Sequence, residues 1–589
     1  MGWLFGAAVR DPAPRVFETL ASVHDPARHV ARTASVYVAC GGPDGSYRSS
    51  ASDQRASETG GAWVVVGNAY GVVAGRARPL GDDDWRRTLD AGAESLLALD
   101  GDFVAARFGQ HTFELFTDPL GSRLLFIAKV AFGVAFSTRI DWLARAAGGF
   151  EMEAEGLGPI VCGYGIAASG LKGVRRIGAG GAVAGDADSY TATESPWIPD
   201  FSPRDTIEYR DRVRTFVRPV LPDGRSVSVG LSGGVDSRLM LALGTPGDAV
   251  SAHVFGYADE PDIEVAAQVA AARGVPLVVY PHEELPGPDE TLALIRTGVA
   301  VTHGMLPAST LPEKRRYAEI DARGKLLLVG MFGELARRQF YVAYEMRNAA
   351  TRLVRGEMDV LLEYLACAAP TFFEAGSAEL MREATFEALR ALLGAMPGVR
   401  DVGLENFLDL FATRTQLPSG YAAHQNLLGH LAVGYSPFAQ QSVLRVALGL
   451  PVRARRNSRA VFDLIREDFP EAARIPLVAN DARYRFGTST AAAQLLTRLR
   501  RRRRASHYGR ARHDVLVKVE AAVRELAASA EARSVDLYDF SRIDAALARF
   551  YTAGGDGSDR HDVRSRSADA ALIDRWLTFE LWRRAASAR

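Results

Sequence analysis

The chain has only 3 cysteines in 589 residues, and Cys40, Cys162 and Cys367 stand far apart without forming a CxxC pair. That usage points to neither a disulfide framework nor a zinc site, and it fits a reducing cytoplasm. An excess of one charge is also missing, since Lys plus Arg and Asp plus Glu are both 70. No overall field recruits nucleic acid or an acidic membrane. No uncharged apolar run reaches the roughly 18 residues of a membrane-spanning helix, so membrane insertion is not expected. The opening MGWLFGAAVRDPAPR lacks a basic leading segment, and Arg10 and Asp11 interrupt its apolar stretch short of signal-peptide length. The expectation is a soluble, cytoplasmic protein.

Apolar material is ample: 48% of residues are hydrophobic and 24% charged, which excludes wholesale disorder. At about 100–200 residues per domain, the length implies two to four packed units. From Val36 to about Ala184 short β-rich runs (36–40, 62–67, 103–108, 113–118, 124–128) alternate with Gly, Asp and Pro turns. They read as a sandwich of antiparallel sheets. The Pro-rich ESPWIPDFSPRD at 194–205 reads as a linker. Beyond it, VSVGL (227–231), VSAHVF (250–255), VPLVVY (275–280) and KLLLVG (325–330) alternate with helical segments, as in a parallel sheet buried on both faces. From about 336 onward, segments such as 442–450 and 572–584 have helical spacing. The basic run RLRRRRRA at 498–505 reads as a solvated helix face, and GGDGSD at 554–559 as a local turn.

The sequence SGGVDS at 232–237 lies between a strand and an apolar helix, at the carboxyl end of a parallel strand where ligands bind. Glycines let backbone N–H groups approach an anion, serines add donors, and the new helix presents its positive end. The bland alternative is a Ser/Gly turn before a helix. No Gly-Lys-Ser/Thr follows, so this is not a Walker A loop. Asp236 inside such a loop makes sense with a divalent cation neutralising the oxygens, which suggests Mg²⁺.

SGGVDS resembles the pyrophosphate loop of the asparagine synthetase family, whose members cleave ATP to AMP and pyrophosphate. DIEVAAQVAAARGVPL (262–277), LLLVGMFGELARRQFY (326–341), YSPFAQQSVLRVAL (435–448) and the closing LTFELWRR are similar to further family segments. GDFVAARF (101–108), TDPLGSRLLFIA (117–128) and FSTRIDWLARAA (136–147) are similar to its glutaminase-type domain. The resemblance implies an α/β and α+β multidomain fold. Residues 1–193 would form an Ntn-hydrolase-like β-sandwich and 194–206 a linker. Residues 207–589 would form a PP-loop (adenine nucleotide alpha hydrolase-like) ATP-pyrophosphatase domain with a helical C-terminal half. ATP would lie on Gly230, Leu231, Ser232, Gly233, Gly234, Asp236, Ser237, Val254, Phe255 and Gly330, with Mg²⁺ on Asp236 and Glu334.

The family's departures matter as much. Its glutaminase nucleophile is an N-terminal cysteine with its own amine as base. Gly2 stands here, so glutamine hydrolysis is not expected; Cys40 and Cys162 read as ordinary buried cysteines. The family's metal-binding Asp becomes Glu334, and the acid three positions earlier becomes Met331. Its late-domain lysine has no Lys match in 475–487, where Arg483 or Arg485 is expected to supply the charge; a surface salt bridge is the alternative for each. His303 falls where an acyl substrate would lie, with a structural histidine as the alternative.

Members lacking the cysteine include β-lactam synthetases and lasso-peptide cyclases, both ring-closing. Similarity to the lasso cyclases implies a macrolactam synthetase that adenylates a side-chain carboxylate and joins it to a peptide's N-terminal amine. Its partners would be a precursor peptide, a leader-recognition protein and a leader protease. The alternatives are a small-molecule ring-closing ligase, an ammonia-dependent asparagine synthetase, and a catalytically inactive binding protein.

Overall fold

The structure, a computed structural model, describes residues 2–50, 62–162, 168–221, 225–244, 250–340, 349–365, 370–479, 482–488, 507–552 and 560–587. Cys367, the basic run at 498–505 and the turn at 554–559 lie outside the described residues.

The chain begins with β1 (Trp3–Val9), α1 (Pro14–Val23), β2 (His29–Arg32), β3 (Val36–Gly41), β4 (Tyr47–Ser49), β5 (Ala62–Val73) and β6 (Arg76–Pro79). There follow α2 (Asp82–Asp90), α3 (Ala93–Leu97), β7 (Asp100–Phe108), β8 (Phe113–Thr117), β9 (Phe126–Val130) and β10 (Gly133–Ser137). This part closes with α4 (Ile140–Ala147), α5 (Ala154–Val161), β11 (Val174–Arg176), β12 (Gly181–Gly185) and β13 (Tyr190–Glu194).

These strands form two antiparallel sheets, ordered β11-β9-β10-β1-β3-β2 and β13-β12-β8-β7-β5-β4, with β6 added on β5. Successive side chains of β1 point to opposite faces. Leu4 and Ala8 join Val64, Val104 and Ala106 between the sheets, whereas Trp3, Phe5 and Ala7 join Phe17 of α1 and Leu143 of α4 outside them. On the other outer face Trp63 and Phe103 share a core with Trp85 and Leu89 of α2 and Leu96 of α3. The result is a helix–sheet–sheet–helix sandwich, and it explains why β1 and β3 are apolar on both faces.

The Pro-rich stretch after β13 is laid down on its neighbours: Trp197 is buried and donates to the Pro119 carbonyl at 3.2 Å, and Arg204 N donates to Gly449 O at 2.9 Å. Asp205 then caps α6 (Thr206–Val217) by accepting from Glu208 N at 2.8 Å.

The second sheet system is parallel. β14 (Ser226–Gly230), α7 (Val235–Leu243), β15 (Val250–Gly256), α8 (Pro261–Arg273), β16 (Leu277–Pro281), α9 (Pro288–Val301), β17 (Lys325–Leu328) and the short β18 (Gly434–Tyr435) follow in order. The spatial order is β16-β15-β14-β17-β18, every pair parallel. The chain thus winds outward from β14 through β15 and β16, then returns to the opposite side of β14 as β17. That reversal opens a crevice at the carboxyl ends of β14 and β17.

Beyond β17 the chain is mainly helical. α10 (Ala375–Gly394), α11 (Leu404–Gln416), α12 (Ala422–Leu431) and α13 (Gln441–Gly449) precede the hairpin β19 (Leu477–Ala479)–β20 (Ala482–Tyr484), and α14 (Arg560–Ser587) comes last. Ile573, Trp576 and Trp582 of α14 share the core of Trp3 and Phe5, so the last helix closes over the first strand's sheet. Among the described residues, no helix is long and apolar enough to cross a membrane.

One buried network pins the sandwich to the parallel sheet. Asp102 of β7 pairs with Arg123 at 2.7 Å, each side chain 3% exposed, and Gln425 of α12 donates both to Asp102 at 2.9 Å and to the carbonyl of Gly434 in β18 at 2.9 Å. Removing one member of a buried pair strands the other charge. Asp102→Ala is therefore expected to lower unfolding stability by about 3–5 kcal/mol, read from urea denaturation; an unchanged midpoint would contradict this role.

Candidate functional site

Loop 231–234 links β14 to α7, and its fold follows from short-range hydrogen bonds. Ser237 Oγ accepts from Ser232 N at 3.2 Å, and Ser232 Oγ accepts from Gly234 N at 3.1 Å. Asp262, at the start of α8, accepts from Gly233 N at 2.6 Å. A carboxylate already sits on a loop N–H, which is the behaviour expected of an anion-accepting turn at a helix start.

The hairpin β19–β20 covers this loop. Val478 N donates to Gly233 O at 2.9 Å, and a Cβ on Gly233 would lie 2.6 Å from the Val478 side chain. Beneath it the fully buried Arg238 donates to the carbonyls of Ile475 at 2.8 Å, Ala472 at 3.1 Å and Gly233 at 3.2 Å. Arg238 and Asp262 were not singled out from the sequence. The signal for Arg238 was an arginine opening an otherwise apolar helix.

The segment after β17 approaches from the other side of the crevice. A Cβ on Gly330 would be 3.4 Å from Ser237 N, and one on Gly333 would overlap the Asp236 carboxylate. Gly333 therefore permits this segment to lie against the Asp236 side chain, whereas at position 330 a methyl would be in ordinary contact with the first turn of α7. Phe332 (φ +70°) and Arg338 (φ +52°) hold left-handed conformations that bulky residues rarely adopt. Arg338 is anchored at 3.1 Å to Asp409, a wholly buried carboxylate that Arg455 also contacts.

Asp236 and Glu334 meet in this crevice. Burial pushes the Asp236 carboxyl up to about 6, the adjacent Arg337 guanidinium opposes the rise, and the Glu334 charge adds to it. Two carboxylates, one in the first turn of α7 and one in the turn after β17, with the charge of Glu334 disfavouring ionisation of Asp236, suit a divalent cation. Among the described residues no cluster of three or more His, Cys, Asp or Glu is arranged to hold a metal. Mg²⁺ needs no such cluster, because one or two carboxylates with phosphate and water complete its shell. The residues present fit it.

The other expected positions are distributed unevenly. Gly230, Leu231, Ser232, Gly234 and Ser237 lie in or beside the loop, and Leu231 N donates to His253 O of β15 at 2.8 Å. Val254 points into the core of the parallel sheet. Phe255 is half-buried, stacked on Tyr280 with centroids 5.6 Å apart, with Lys314 Nζ 5.3 Å from its ring. Met331 packs among apolar neighbours, including Phe332.

Two expectations are corrected, for Arg483 and His303. Arg483 pairs with Glu264 of α8, both about half exposed, which is the surface salt bridge weighed as its alternative. Arg485 is exposed, and its carbonyl accepts from Thr488 N at 3.1 Å. His303 is wholly buried between Phe126 (4.7 Å) and Trp582 (5.2 Å), with Trp582 Nε1 donating to its Nδ1 at 3.0 Å. It is a core histidine. The cation that does reach Asp236 is Arg337, which sequence reasoning missed.

In the sandwich, a Cβ on Gly2 would overlap the Ser46 carbonyl oxygen and lie 3.1 Å from Gly67 N. Position 2 has room for glycine and not for a nucleophilic side chain. Cys40 is buried, its thiol pushed up to about 12 by burial, and burial also raises that of Cys162. Neither thiol is activated.

The architecture is therefore that of a mixed α/β protein in which a layered β-sandwich is joined to a parallel sheet carrying a Ser/Gly loop at its switch point. No protein-family model and no curated protein matches the chain. Among solved structures it is similar to the allosteric regulatory enzyme of purine biosynthesis, at 14% identity and TM-score 0.22, covering 47% of this chain and 64% of that one. It is also similar to glutamine phosphoribosylpyrophosphate amidotransferase from B. subtilis complexed with ADP and GMP, at 12% identity and TM-score 0.23, covering 56% and 81%. TM-scores this low leave the fold to be read from the chain's own topology.

Two predictions follow from the packing. Gly233→Ala places a methyl against Val478 and is expected to cost about 1–3 kcal/mol, measurable by thermal unfolding; an unchanged Tm would mean the hairpin does not rest on the loop. His253 and His303 are enclosed, and burial lowers each from 6.5 to about 3. The unfolded chain binds those protons below about 6.5 and the folded chain does not. Stability is thus full above that value and falls as pH drops towards 3, each histidine costing about 2 kcal/mol between pH 7 and 5. Urea midpoints across that range should show this slope, and His303→Gln should reduce it by that residue's share.

Proposed function

We propose that the chain is an ATP-dependent, AMP-forming carboxylate–amine ligase. The observation that carries this reading is the convergence of the 231–234 loop, Asp236 and Glu334 on the crevice between β14 and β17. The α7 amino end supports binding of the β and γ phosphates, which would draw the N–H groups of Ser232, Gly233 and Gly234 and the Ser232 and Ser237 hydroxyls away from the hydrogen bonds they make within the loop and with Asp262. Mg²⁺, when bound on Asp236 and Glu334, would neutralise phosphate charge and favour attack at the α-phosphorus. A substrate carboxylate oxygen attacks that phosphorus and pyrophosphate leaves; an amine then attacks the acyl carbon and AMP leaves. The hairpin β19–β20, held on Gly233 by Val478, covers part of the loop, and an acyl-adenylate would need that cover extended over it to be kept from water.

The amine comes from the substrate. Gly2 offers no nucleophile to release ammonia from glutamine, and Met331 brings an apolar side chain where the resembled enzymes have an acid. Both favour the macrolactam synthetase of the lasso-cyclase type, in which a side-chain carboxylate is adenylated and closed onto a peptide's N-terminal amine. Precursor peptide, leader-recognition protein and leader protease belong to that reading. A binding protein that has lost catalysis is the second reading, and the observation favouring it is the ion pair that ties Arg337 to Asp236.

Incubation with ATP, Mg²⁺ and leader-free core peptides carrying an Asp or Glu a few residues from the N-terminus is expected to give AMP, pyrophosphate and a product lighter by one water. Asp236→Asn should reduce this by about a hundred-fold or more. Turnover with small amino-acid derivatives alone would instead establish a small-molecule ligase, aspartate with ammonia an asparagine synthetase, and no turnover with any substrate the binding protein.

A further inference from the structure

Arg337 lies in the short turn Leu335–Arg337 directly after Glu334 and is 8% exposed. Its Nη2 donates to Asp236 Oδ2, while its Nε is buried without a hydrogen-bond partner. An arginine carries five N–H donors in a planar fork that matches carboxylate and phosphate bidentately. Here the fork meets a single carboxylate oxygen, so a buried, fixed charge retains unused donors beside the phosphate loop. The backbone that carries it is held from behind, because Arg338 is anchored on Asp409 together with Arg455. The Arg337 side chain is therefore directed at α7 by a rigid support rather than left to find a surface partner.

A guanidinium held on Asp236 Oδ2 repels a divalent cation approaching the same carboxylate. No lysine stands between Lys325 and Lys518 in the sequence, and Arg483 is drawn outward to Glu264. Among the described residues, Arg337 is the cation whose side chain contacts Asp236.

We propose that Arg337 is the phosphate-binding cation of this crevice. It neutralises Asp236 in the nucleotide-free protein, and it exchanges that carboxylate for a phosphate oxygen when a nucleoside triphosphate brings a divalent cation to Asp236. The inference rests on the nucleotide-binding reading above and adds to it the residue that gates metal entry. It also accounts for the ion pair that otherwise favours an inactive protein, because the pair becomes the resting state of the site. Opening it couples metal to nucleotide: the cation enters tightly only when a phosphate takes over the guanidinium.

The test uses two probes on the full chain: Mn²⁺ alone, followed by electron paramagnetic resonance, and α,β-methylene-ATP with Mg²⁺, followed by calorimetry. Arg337→Gln is expected to bind Mn²⁺ about ten-fold more tightly than the wild type without nucleotide, and to bind the nucleotide analogue about ten-fold or more weakly. Arg337→Lys retains the charge on Asp236 but not the fork, so its Mn²⁺ affinity should match the wild type while nucleotide binding falls several-fold. It also serves as the readout should Arg337→Gln fail to fold, which thermal unfolding would reveal. A clamp with a purely structural role would leave the Mn²⁺ affinity of Arg337→Gln unchanged. That result, or undiminished nucleotide binding by both variants, would overturn the inference while the ligase reading stands. Absence of nucleotide binding in the wild type would remove both.

Discussion

The structure depends on one close approach: the segment 330–333 lies against the first turn of α7, with glycine at 333 because a side chain there would collide with the Asp236 carboxylate. This contact places the carboxyl end of β17 beside that of β14, and so puts Glu334 and Arg337 next to Asp236. The strained backbone at Phe332 and Arg338 is the local cost of reaching that position. Asp409, buried with two arginines on it, supplies the anchoring that keeps the strained turn in place.

The layered sandwich acts on this crevice only at a distance. Its β7 meets α12 of the helical part through Asp102, Arg123 and Gln425, which fix the edge strand β18 and hence the outer limit of the parallel sheet. Its first strand is closed by α14, and position 2 is packed against the Ser46 carbonyl. A domain buried on so many sides is part of the frame in which the crevice is held.

Much of this was legible in the sequence because the signals were local. Alternating apolar runs with turn residues marked the sandwich strands, continuous apolar runs between helices marked the parallel sheet, and SGGVDS marked the strand-to-helix loop. What was not legible came from long sequence separations. Arg337 reaches Asp236 across 101 residues, and His303 meets Trp582 across 279. Neither pairing has a periodicity or motif that announces it. Arg483 shows the converse: an arginine in the right stretch of sequence is turned outward because Glu264 of α8 lies beside the hairpin. The Pro-rich segment read as a linker was also only half legible, since composition marks the change of architecture but not the packing of Trp197.

The central claim is that this crevice activates a carboxylate by transferring it to the α-phosphorus of ATP. The most direct measurement is oxygen transfer: a carboxylate substrate that triggers pyrophosphate release is labelled with oxygen-18, and the nucleotide and phosphate products are weighed. The account predicts that one labelled oxygen appears in AMP and none in pyrophosphate or orthophosphate. Label in orthophosphate, with ADP formed, would mean an acyl phosphate and a different use of the loop, and would contradict it.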